Sequence, residues 1–390
     1  MDIFYSTNWL LYPFLNILLG LFVVIVLVQL YYILFVFAKL LFQQPPLVKE
    51  RWPAVTVVVC AHNELENLRE LLPMLNEQDY PDYEVVVVDD RSWDGTEEFS
   101  ENEANIWDKV RFVHIRHEYD HVTPKKYAVT TAVRGAKHDV ILLTDADCRP
   151  TTDQWIKGMA ACFTEEKQVV IGFSPYQKLD GFLNRLIRFE TFYVAIQYLS
   201  LALAGKPYMA VGRNLMYSKS LFTQNKGFYT HLRVTGGDDD LLMNEIATGH
   251  NTAVCLNSDT FMVSLPKTTW KDWYRQKKRH LSVSKYYKTG NKVRLAVLSG
   301  THVLSWMLFL GLLLGCLWNY SALLAYIIII SLLFSIRLVA QWIVLGLASR
   351  KLYKSVGWFA IPLMDLTLFV YYFTMSFVMW YNRRKKVRWR

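Results

Sequence analysis

Four long apolar runs lie at the two ends of this chain and limit the folds open to it. They cover residues 10–42, 296–318, 322–346 and 358–381. A helix needs about 20 apolar residues to cross a bilayer core, and each run reaches that length. The first run is too long for a cleaved signal peptide and lacks its basic start. We therefore predict an N-terminal transmembrane helix in residues 1–44. Residues 295–390 are predicted to form a C-terminal membrane region of about three helices or re-entrant segments with a basic tail.

The charge pattern predicts the side of the membrane on which the central residues lie. The formal net charge is +9, and Lys and Arg concentrate beside the apolar runs, which marks the cytoplasmic side under the positive-inside rule. We expect an integral protein of the bacterial inner membrane, with its charged middle in the cytoplasm and membrane lipids as partners. Four full spans would put the tail outside, although residues 383–390 are strongly basic. Either the last run is re-entrant, with Pro362 and Asp365 as its break, or another segment lies in the interface.

The cysteines and the missing motifs exclude several other classes. Five cysteines are scattered, odd in number and without paired spacing, so neither a disulfide framework nor a zinc site is predicted. No nucleic-acid-binding motif accompanies the positive charge. We therefore expect no nucleic-acid partner.

Apolar segments in the charged middle alternate with segments of helical spacing. Strands are predicted at residues 55–60, 85–88, 110–115, 140–144 and 169–173, and helices at 67–78 and 125–135. This alternation is typical of an α/β fold with a parallel sheet. Such folds bind ligands at the carboxyl ends of their strands. We therefore predict a Rossmann-like nucleotide-binding domain over residues 50–265.

Carboxylates follow two of the predicted strands. Asp89 and Asp90 come after residues 85–88, and Asp145 and Asp147 come after residues 140–143. A D-x-D turn offers two hard oxygen ligands on one side, which suits Mg²⁺ or Mn²⁺ together with a diphosphate. The pattern therefore favours a metal and nucleotide site, and an acidic surface turn is the plainer alternative.

Two further charged segments follow. Asp238-Asp239-Asp240 comes after Gly236-Gly237, and Gln276-Lys277-Lys278-Arg279-His280 lies before the C-terminal apolar runs. A third carboxylate can act as a base, and an arginine can hold a diphosphate. The plainer alternatives are an acidic helix start and a basic juxtamembrane helix.

Two aromatic, amphipathic segments suit either the protein core or the membrane surface. Residues 182–203 fit either a core helix or an interfacial helix. Residues 270–287 combine aromatics with many cations, which suits the headgroup level of a membrane. We therefore predict an amphipathic interfacial segment over residues 266–294, which carries the Gln276–Arg279 motif.

These pieces in their order resemble the membrane-bound family 2 glycosyltransferases with a GT-A fold, both the ceramide glucosyltransferase-like and the polysaccharide synthase-like enzymes. The matching segments span residues 55–280, with apolar runs on both sides. They are Cys60-Ala61-His62-Asn63-Glu64, Val88-Asp89-Asp90-Arg91-Ser92-Trp93-Asp94-Gly95-Thr96, Thr144-Asp145-Ala146-Asp147-Cys148, Gly237-Asp238-Asp239-Asp240 and Gln276-Lys277-Lys278-Arg279-His280. Each segment alone is weakly or moderately specific.

The resemblance implies roles for individual residues. Asp147 would be the direct ligand of Mg²⁺ or Mn²⁺, and Asp145 would lie beside the ribose and the metal. The donor-sugar and acceptor pocket would contain Gly212, Arg213 and Asn214. The residues implied to bind the nucleotide sugar are Ala61, Asn63, Glu64, Asp89, Asp90, Lys125, Lys126, Asp145, Gln276, Arg279 and His280.

The resemblance also implies an inverting reaction with a carboxylate base. Asp239 is the expected base, and like-charge repulsion from Asp238 and Asp240 would raise its proton affinity. Position 280 is His where the family has Trp. That Trp can stack at the acceptor site. With His at this position, the motif alone does not assign the acceptor.

The function that follows is transfer of a sugar from a nucleotide sugar, expected to be a UDP-sugar, to a lipid acceptor with a β-glycosidic bond. His280 and the small number of apolar runs favour this over a processive polysaccharide synthase with a glycan acceptor. A non-catalytic membrane subunit that binds nucleotide sugars is the third possibility. The complete set of acids argues against it.

Overall fold

The computed structural model describes residues 12–46, 51–103, 106–317, 320–354 and 356–381. Within these ranges the chain forms two compact units. The unit called here the α/β unit contains residues 42–46, 51–103, 106–287 and 351–354. The unit called the helical unit contains residues 12–41, 288–317, 320–350 and 356–381.

The strands of the α/β unit make one large mixed sheet and one small sheet. In the large sheet the order is β3-β2-β1-β4-β7-β6-β8, and β5 pairs with β9 apart from it. Strands β1 to β4 run parallel, and β7 is antiparallel to both β4 and β6. The strands are β1 Val55–Ala61, β2 Tyr83–Asp90, β3 Val110–Ile115, β4 Val140–Asp145, β5 Cys148–Pro150, β6 Val169–Ile171, β7 Leu215–Ser218, β8 Thr252–Val254 and β9 Met262–Ser264.

Helices cover the sheet and form the helical unit. In the α/β unit they are α2 Leu65–Asn76, α3 Thr96–Asn102, α4 Pro124–Gly135, α5 Trp155–Cys162, α6 Phe182–Leu203, α7 Lys219–Gln224, α8 Asp240–Ile246 and α9 Trp270–Val283. In the helical unit they are α1 Pro13–Phe42, α10 Thr289–Leu317, α11 Tyr320–Lys351 and α12 Ile361–Tyr381.

The predicted strands are confirmed, and their register explains where the acids lie. Val85, Val86, Val87 and Val88 are fully buried, as expected of a parallel strand covered on both faces. Strand β1 pairs with β2 so that Ala61 lies beside Asp89, and with β4 so that Cys60 lies beside Asp145. The carboxyl ends of these three strands therefore meet at one edge of the sheet.

Helix α6 is a core helix of the α/β unit. It is long and apolar enough to cross a membrane, yet 78% of its most apolar window is buried inside the protein. Phe192, Ile196 and Leu199 are fully buried. Of the two alternatives for residues 182–203, the structure selects the core helix.

The helical unit consists of four helices, each long and apolar enough to cross a membrane by length and composition. Helix α12 runs without a break through Asp365 to Tyr381, and Pro362 lies in its first turn. A proline is tolerated there because the first-turn N–H groups have no intrahelical partner. The described helix therefore has no break at Pro362 or Asp365, which was one of the two alternatives, and the basic tail lies outside the described residues.

A buried polar cluster connects all four helices. Arg337 on α11 forms an ion pair with Asp365 on α12, with Nη1 2.5 Å from Oδ2. Trp306 on α10 donates to the same oxygen at 3.0 Å, and Arg337 Nη2 lies 3.4 Å from Gln29 Oε1 on α1. Arg337 and Asp365 are fully buried. These two charges thus pair across helices, and each would be costly in apolar surroundings if left unpaired.

Candidate active site

Lys125 joins two of the predicted acidic clusters. It lies in the first turn of α4, and its Nζ is 2.8 Å from Asp145 Oδ1 and 3.2 Å from Asp238 Oδ2. Burial disfavours its charge, but Asp145, Asp238 and Asp239 hold the pKa of Lys125 well above its ordinary value. The D-x-D turn and the acidic triplet are therefore parts of one site at the carboxyl edge of the sheet.

The D-x-D turn follows directly from the end of β4. Burial and the neighbouring Asp145 raise the pKa of the Asp147 carboxyl, and burial together with Asp147 raises that of Glu64. Asp147 accepts a weak hydrogen bond from the Cys148 thiol at 3.4 Å. A cation at this turn would relieve the repulsion among the three carboxylates.

The carboxylates at this turn would supply only part of the ligand shell of a divalent metal. Within the part of the chain that the structure describes, no group of three or more His, Cys, Asp or Glu residues could hold a metal ion. Mg²⁺ in nucleotide sites takes one or two carboxylates and completes its shell with waters and substrate phosphates. Asp147, supported by Asp145, fits that smaller role.

Asp89 and Asp90 shape the crevice beside β2. Asp89 is 3% exposed, and its oxygens lie 3.0 Å from His114 Nδ1 and 3.2 Å from the Ser92 amide. Asp90 pairs with Arg91 at 2.8 Å. Both carboxylates thus have partners within the protein. A nucleotide bound as predicted would contact oxygens that already accept these hydrogen bonds.

The loop after β1 is fastened to the turn after β2. Asn63 Oδ1 accepts the Trp93 amide at 2.9 Å, and the Asn63 amide donates to Ser92 Oγ at 2.8 Å. Ala61 is the last residue of β1 and is buried. Ala61, Asn63 and Glu64 therefore lie at the predicted edge of the crevice.

The three acids of the triplet have different surroundings. Asp239 accepts the amides of Gly212 and Asp240, both at 2.8 Å, and burial and Asp238 raise its pKa. Burial opposes the charge of Asp238, but Lys125 lowers its pKa below the ordinary value. Asp240 accepts the Tyr287 hydroxyl at 2.9 Å, and burial and Asp239 hold its pKa well above the usual range. The triplet therefore contains one stabilised carboxylate and two with raised proton affinity.

Replacing Asp240 by Asn should stabilise the protein at neutral and alkaline pH. A carboxyl whose folded pKa is raised contributes stability below its unfolded pKa of 3.8, and this is lost as the pH rises through the folded pKa. Asn resembles the protonated carboxyl and has no such loss. Each pKa unit is worth about 1.4 kcal/mol. The measurement is the melting temperature from pH 5 to 9, where Asp240→Asn should show a flatter profile and a higher value at pH 8. A parallel profile would contradict the raised pKa.

Arg213 and Asn214 are adjacent but have different partners. The Arg213 guanidinium lies 4.6 Å from the centre of the Tyr176 ring; burial opposes its charge, while Tyr176, Cys148, Asp147 and Asp145 raise its pKa. Asn214 is fully buried, and its amide bonds to the Phe173 and Thr260 carbonyls and the Trp155 indole. Arg213 thus lies near the carboxylates of the D-x-D turn, whereas the Asn214 side chain is bonded to other protein groups.

The Gln276–His280 segment lies on α9. Gln276 Nε2 is 3.3 Å from the Tyr176 hydroxyl, and Arg279 Nη2 is 3.4 Å from His280 Nε2. Arg279 helps to lower the pKa of Asp238, so its guanidinium lies near the triplet. A buried ion pair between Lys277 and Glu190 fastens α9 to α6. Gln276 therefore contacts Tyr176, which lies against Arg213, and Arg279 lies near the triplet.

Lys126 does not share the surroundings of Lys125. It is fully buried, and its Nζ donates to the His231 and Val234 carbonyls, each at 2.7 Å. Two of its three N–H donors are used within the protein, and the side chain has no exposed surface. The structure therefore gives no support to the predicted nucleotide contact of Lys126.

Two tyrosines near the site were missed by the sequence prediction. Tyr176 touches both Arg213 and Gln276, and Tyr287 touches Asp240. Tyr176 is 100 residues from Gln276, and neither tyrosine belongs to a recognisable motif. Tyr287 lies in the aromatic segment that was assigned to the membrane surface, so its site contact had no local signal.

Comparison with known proteins identifies the class. Residues 56–225 match the family model for glycosyl transferase family 2. Glycosyltransferase AglE of Haloferax volcanii is 30% identical over 107 residues, which cover 27% of this chain and 34% of AglE. The mannosyltransferase PcManGT from Pyrobaculum calidifontis, solved in complex with GDP-Man and Mn²⁺, is similar with a TM-score of 0.55 at 21% identity, covering 86% of this chain and 98% of that one.

Residues 56–225 of the α/β unit thus match glycosyl transferase family 2, and the unit has the GT-A fold. The resemblance and the fold class predicted from the sequence are confirmed. The match spans about a third of the length of AglE, the 34% given above. The family match over residues 56–225 lies in the α/β unit, whereas the apolar helices α1, α10, α11 and α12 lie outside that match.

Proposed function

We propose that this protein is a membrane-integrated, inverting glycosyltransferase that uses a nucleotide-sugar donor. The observation that carries the proposal is the contact of Lys125 with both Asp145 and Asp238. This contact supports a single crevice in which the D-x-D turn would bind the metal and the acidic triplet would supply the base. Transfer with inversion needs those two functions close together, one for the leaving diphosphate and one for the acceptor hydroxyl.

Asp147, with Asp145 beside it, would hold a divalent metal together with the donor diphosphate. The metal, Mg²⁺ or Mn²⁺, supplies charge neutralisation for the leaving diphosphate. Arg213 and Arg279 would add fixed positive charge, because guanidinium groups pair well with phosphate oxygens. Asn63, Glu64, Asp89 and Asp90 would border the nucleoside.

Asp239 would take the proton of the acceptor hydroxyl as that oxygen attacks the anomeric carbon. Its pKa is raised and so lies closer to neutral pH than that of an ordinary carboxyl, which favours a general base. The Gly212 and Asp240 amides fix both of its oxygens at 2.8 Å. Asp238 is the weaker candidate, since its ion pair with Lys125 lowers its pKa.

A lipid is the proposed acceptor, and a β-glycosidic bond the proposed linkage. The four helices of the helical unit and the exposed Phe182, Trp270 and Tyr286 of the α/β unit support residence at a bilayer. Lys271 and Lys285 lie among these aromatics, as at a headgroup surface. With lipid acceptors a single glycolipid species is expected; a ladder of product lengths would instead support a processive synthase.

The donor is tested by a thermal-shift panel on the detergent-solubilised protein. A ligand bound only by the folded state raises the melting temperature, by about 2.7 kcal/mol of stability at 100 times its Kd. UDP-sugars and GDP-sugars are compared with Mn²⁺, with Mg²⁺ and with a chelator. We expect one sugar nucleotide, proposed to be a UDP-sugar, to give a metal-dependent shift. Binding without turnover would support a non-catalytic subunit, and absence of any shift would refute the proposal.

A further inference from the structure

The ammonium of Lys126 is buried at the base of the segment that leads to the acidic triplet. Its two acceptors, the carbonyls of His231 and Val234, are 105 and 108 residues away in sequence. A buried cation is costly unless hydrogen bonds replace its hydration. Consistent with this cost, burial lowers the pKa of Lys126 to about 8, against the opposing effects of Asp238, Asp239 and Glu245.

The same segment has other attachments to α4 and α8. The amide of Thr123, the residue before α4, donates to the Leu232 carbonyl at 3.0 Å. On the other side, His231 Nδ1 lies 3.5 Å from Glu245 in α8. Residues 231–234 are therefore held between the helix that carries Lys125 and the helix that begins at Asp240.

Beyond Val234 the backbone turns through two glycines. Gly236 and Gly237 have φ values of +83° and +73°, a region that glycine adopts without steric cost. Asp238 and Asp239 follow at once. Because the two glycines offer little resistance to rotation, the position of the acids depends on anchors on either side of them.

We propose that Lys126 is a positioning residue, whose hydrogen bonds to residues 231–234 set the place of Asp238 and Asp239 relative to the D-x-D turn. The effect on turnover rests on the proposed glycosyltransferase function. Lys126 does not touch the donor in this arrangement. The adjacent lysines thus divide two tasks: Lys125 contacts the acids directly, and Lys126 holds their loop.

The test compares Lys126→Met with a matched control, Lys219→Met, in the full-length protein in detergent. Lys219 also donates to two carbonyls, those of Arg134 and Ala136 at 3.2 and 2.8 Å, but on a different segment. Lys126→Arg restores charge and donors, and Lys126→Gln replaces the Met variant if that variant does not fold. Donor affinity, kcat and hydrogen–deuterium exchange of residues 231–239 are measured for each.

We expect Lys126→Met to bind the donor within about twofold of the wild type and to lose about 100-fold in kcat, the loss typical of an ångström-scale misplacement. Exchange of residues 231–239 should accelerate in this variant alone, and Lys126→Arg should recover part of the kcat. Lys219→Met should leave kcat and this exchange unchanged.

Two outcomes would overturn the inference. Unchanged exchange and kcat in Lys126→Met would show that other contacts hold the loop. Loss of donor affinity with unchanged exchange would show that Lys126 serves the nucleotide instead. If the wild-type protein turns over no donor, the proposed function is wrong. The comparison of hydrogen–deuterium exchange would still decide whether Lys126 holds residues 231–239.

Discussion

Replacing Asp239 by Asn should abolish sugar transfer while leaving donor binding intact. Asn keeps the shape of the side chain and one oxygen for the Gly212 or Asp240 amide, but it cannot accept the proton of the acceptor hydroxyl. General base catalysis typically contributes about 10²- to 10⁴-fold to the rate. We therefore expect kcat to fall by at least about 100-fold. The thermal shift with the donor should stay within experimental error of the wild-type shift.

The matched control for this experiment is Asp139→Asn. Asp139 also accepts a backbone amide, that of Ser220 at 3.0 Å, but it lies away from the triplet. Its replacement should leave transfer unchanged. Asp238→Asn is the informative rival: transfer retained in Asp239→Asn but lost in Asp238→Asn would move the base to Asp238. Full activity in Asp239→Asn would reject its proposed role outright.

Replacing Asp147 by Ala should remove the metal-dependent part of donor binding. In the wild type we expect a thermal shift that requires Mn²⁺ or Mg²⁺ and disappears with a chelator. Without the Asp147 carboxylate, Asp145 remains engaged with Lys125 at 2.8 Å and is a poor sole ligand. The donor-induced shift of Asp147→Ala should equal the wild-type shift measured with chelator, and transfer should fall to background.

The melting temperature of ligand-free Asp147→Ala helps to interpret that result. Removing a partly buried carboxylate whose charge is disfavoured should not lower this melting temperature. Asp180→Ala, which changes an exposed acid, should retain the full metal-dependent shift. A metal-dependent shift of wild-type size in Asp147→Ala would show that other groups hold the ion.

Much of the fold was predictable because its signals are local. Runs such as Val85–Val88 are apolar, β-branched and followed at once by acids, so both the strand and the position of its carboxylates follow from neighbouring residues. Parallel strands then bring Asp89 and Asp145 to one edge. The predicted meeting of the acids needed no information beyond the order of the elements.

The surroundings of individual side chains were less predictable. Lys125 and Lys126 are adjacent and chemically identical, yet successive residues on a helix point about 100° apart. Which of them meets the crevice depends on a segment more than 100 residues away. Asn214 resembled a pocket residue in sequence, but Phe173 and Thr260 take up its amide. Composition alone likewise did not decide whether α6 is a core helix or an interfacial helix, because an apolar helix suits a protein core as well as a membrane.

The polar cluster of the helical unit has a consequence for the order in which the chain is assembled. Gln29 is synthesised first, the whole α/β unit follows, and Arg337 precedes its carboxylate partner Asp365. If these helices enter a bilayer during translation, the Arg337 guanidinium arrives before its counter-ion. An unpaired arginine there costs about 2.5–3.5 kcal/mol on insertion scales. Insertion of α12 would therefore supply the counter-ion that stabilises the earlier helices in the bilayer. A nascent chain stopped before Asp365 would leave the charge of Arg337 uncompensated in the membrane.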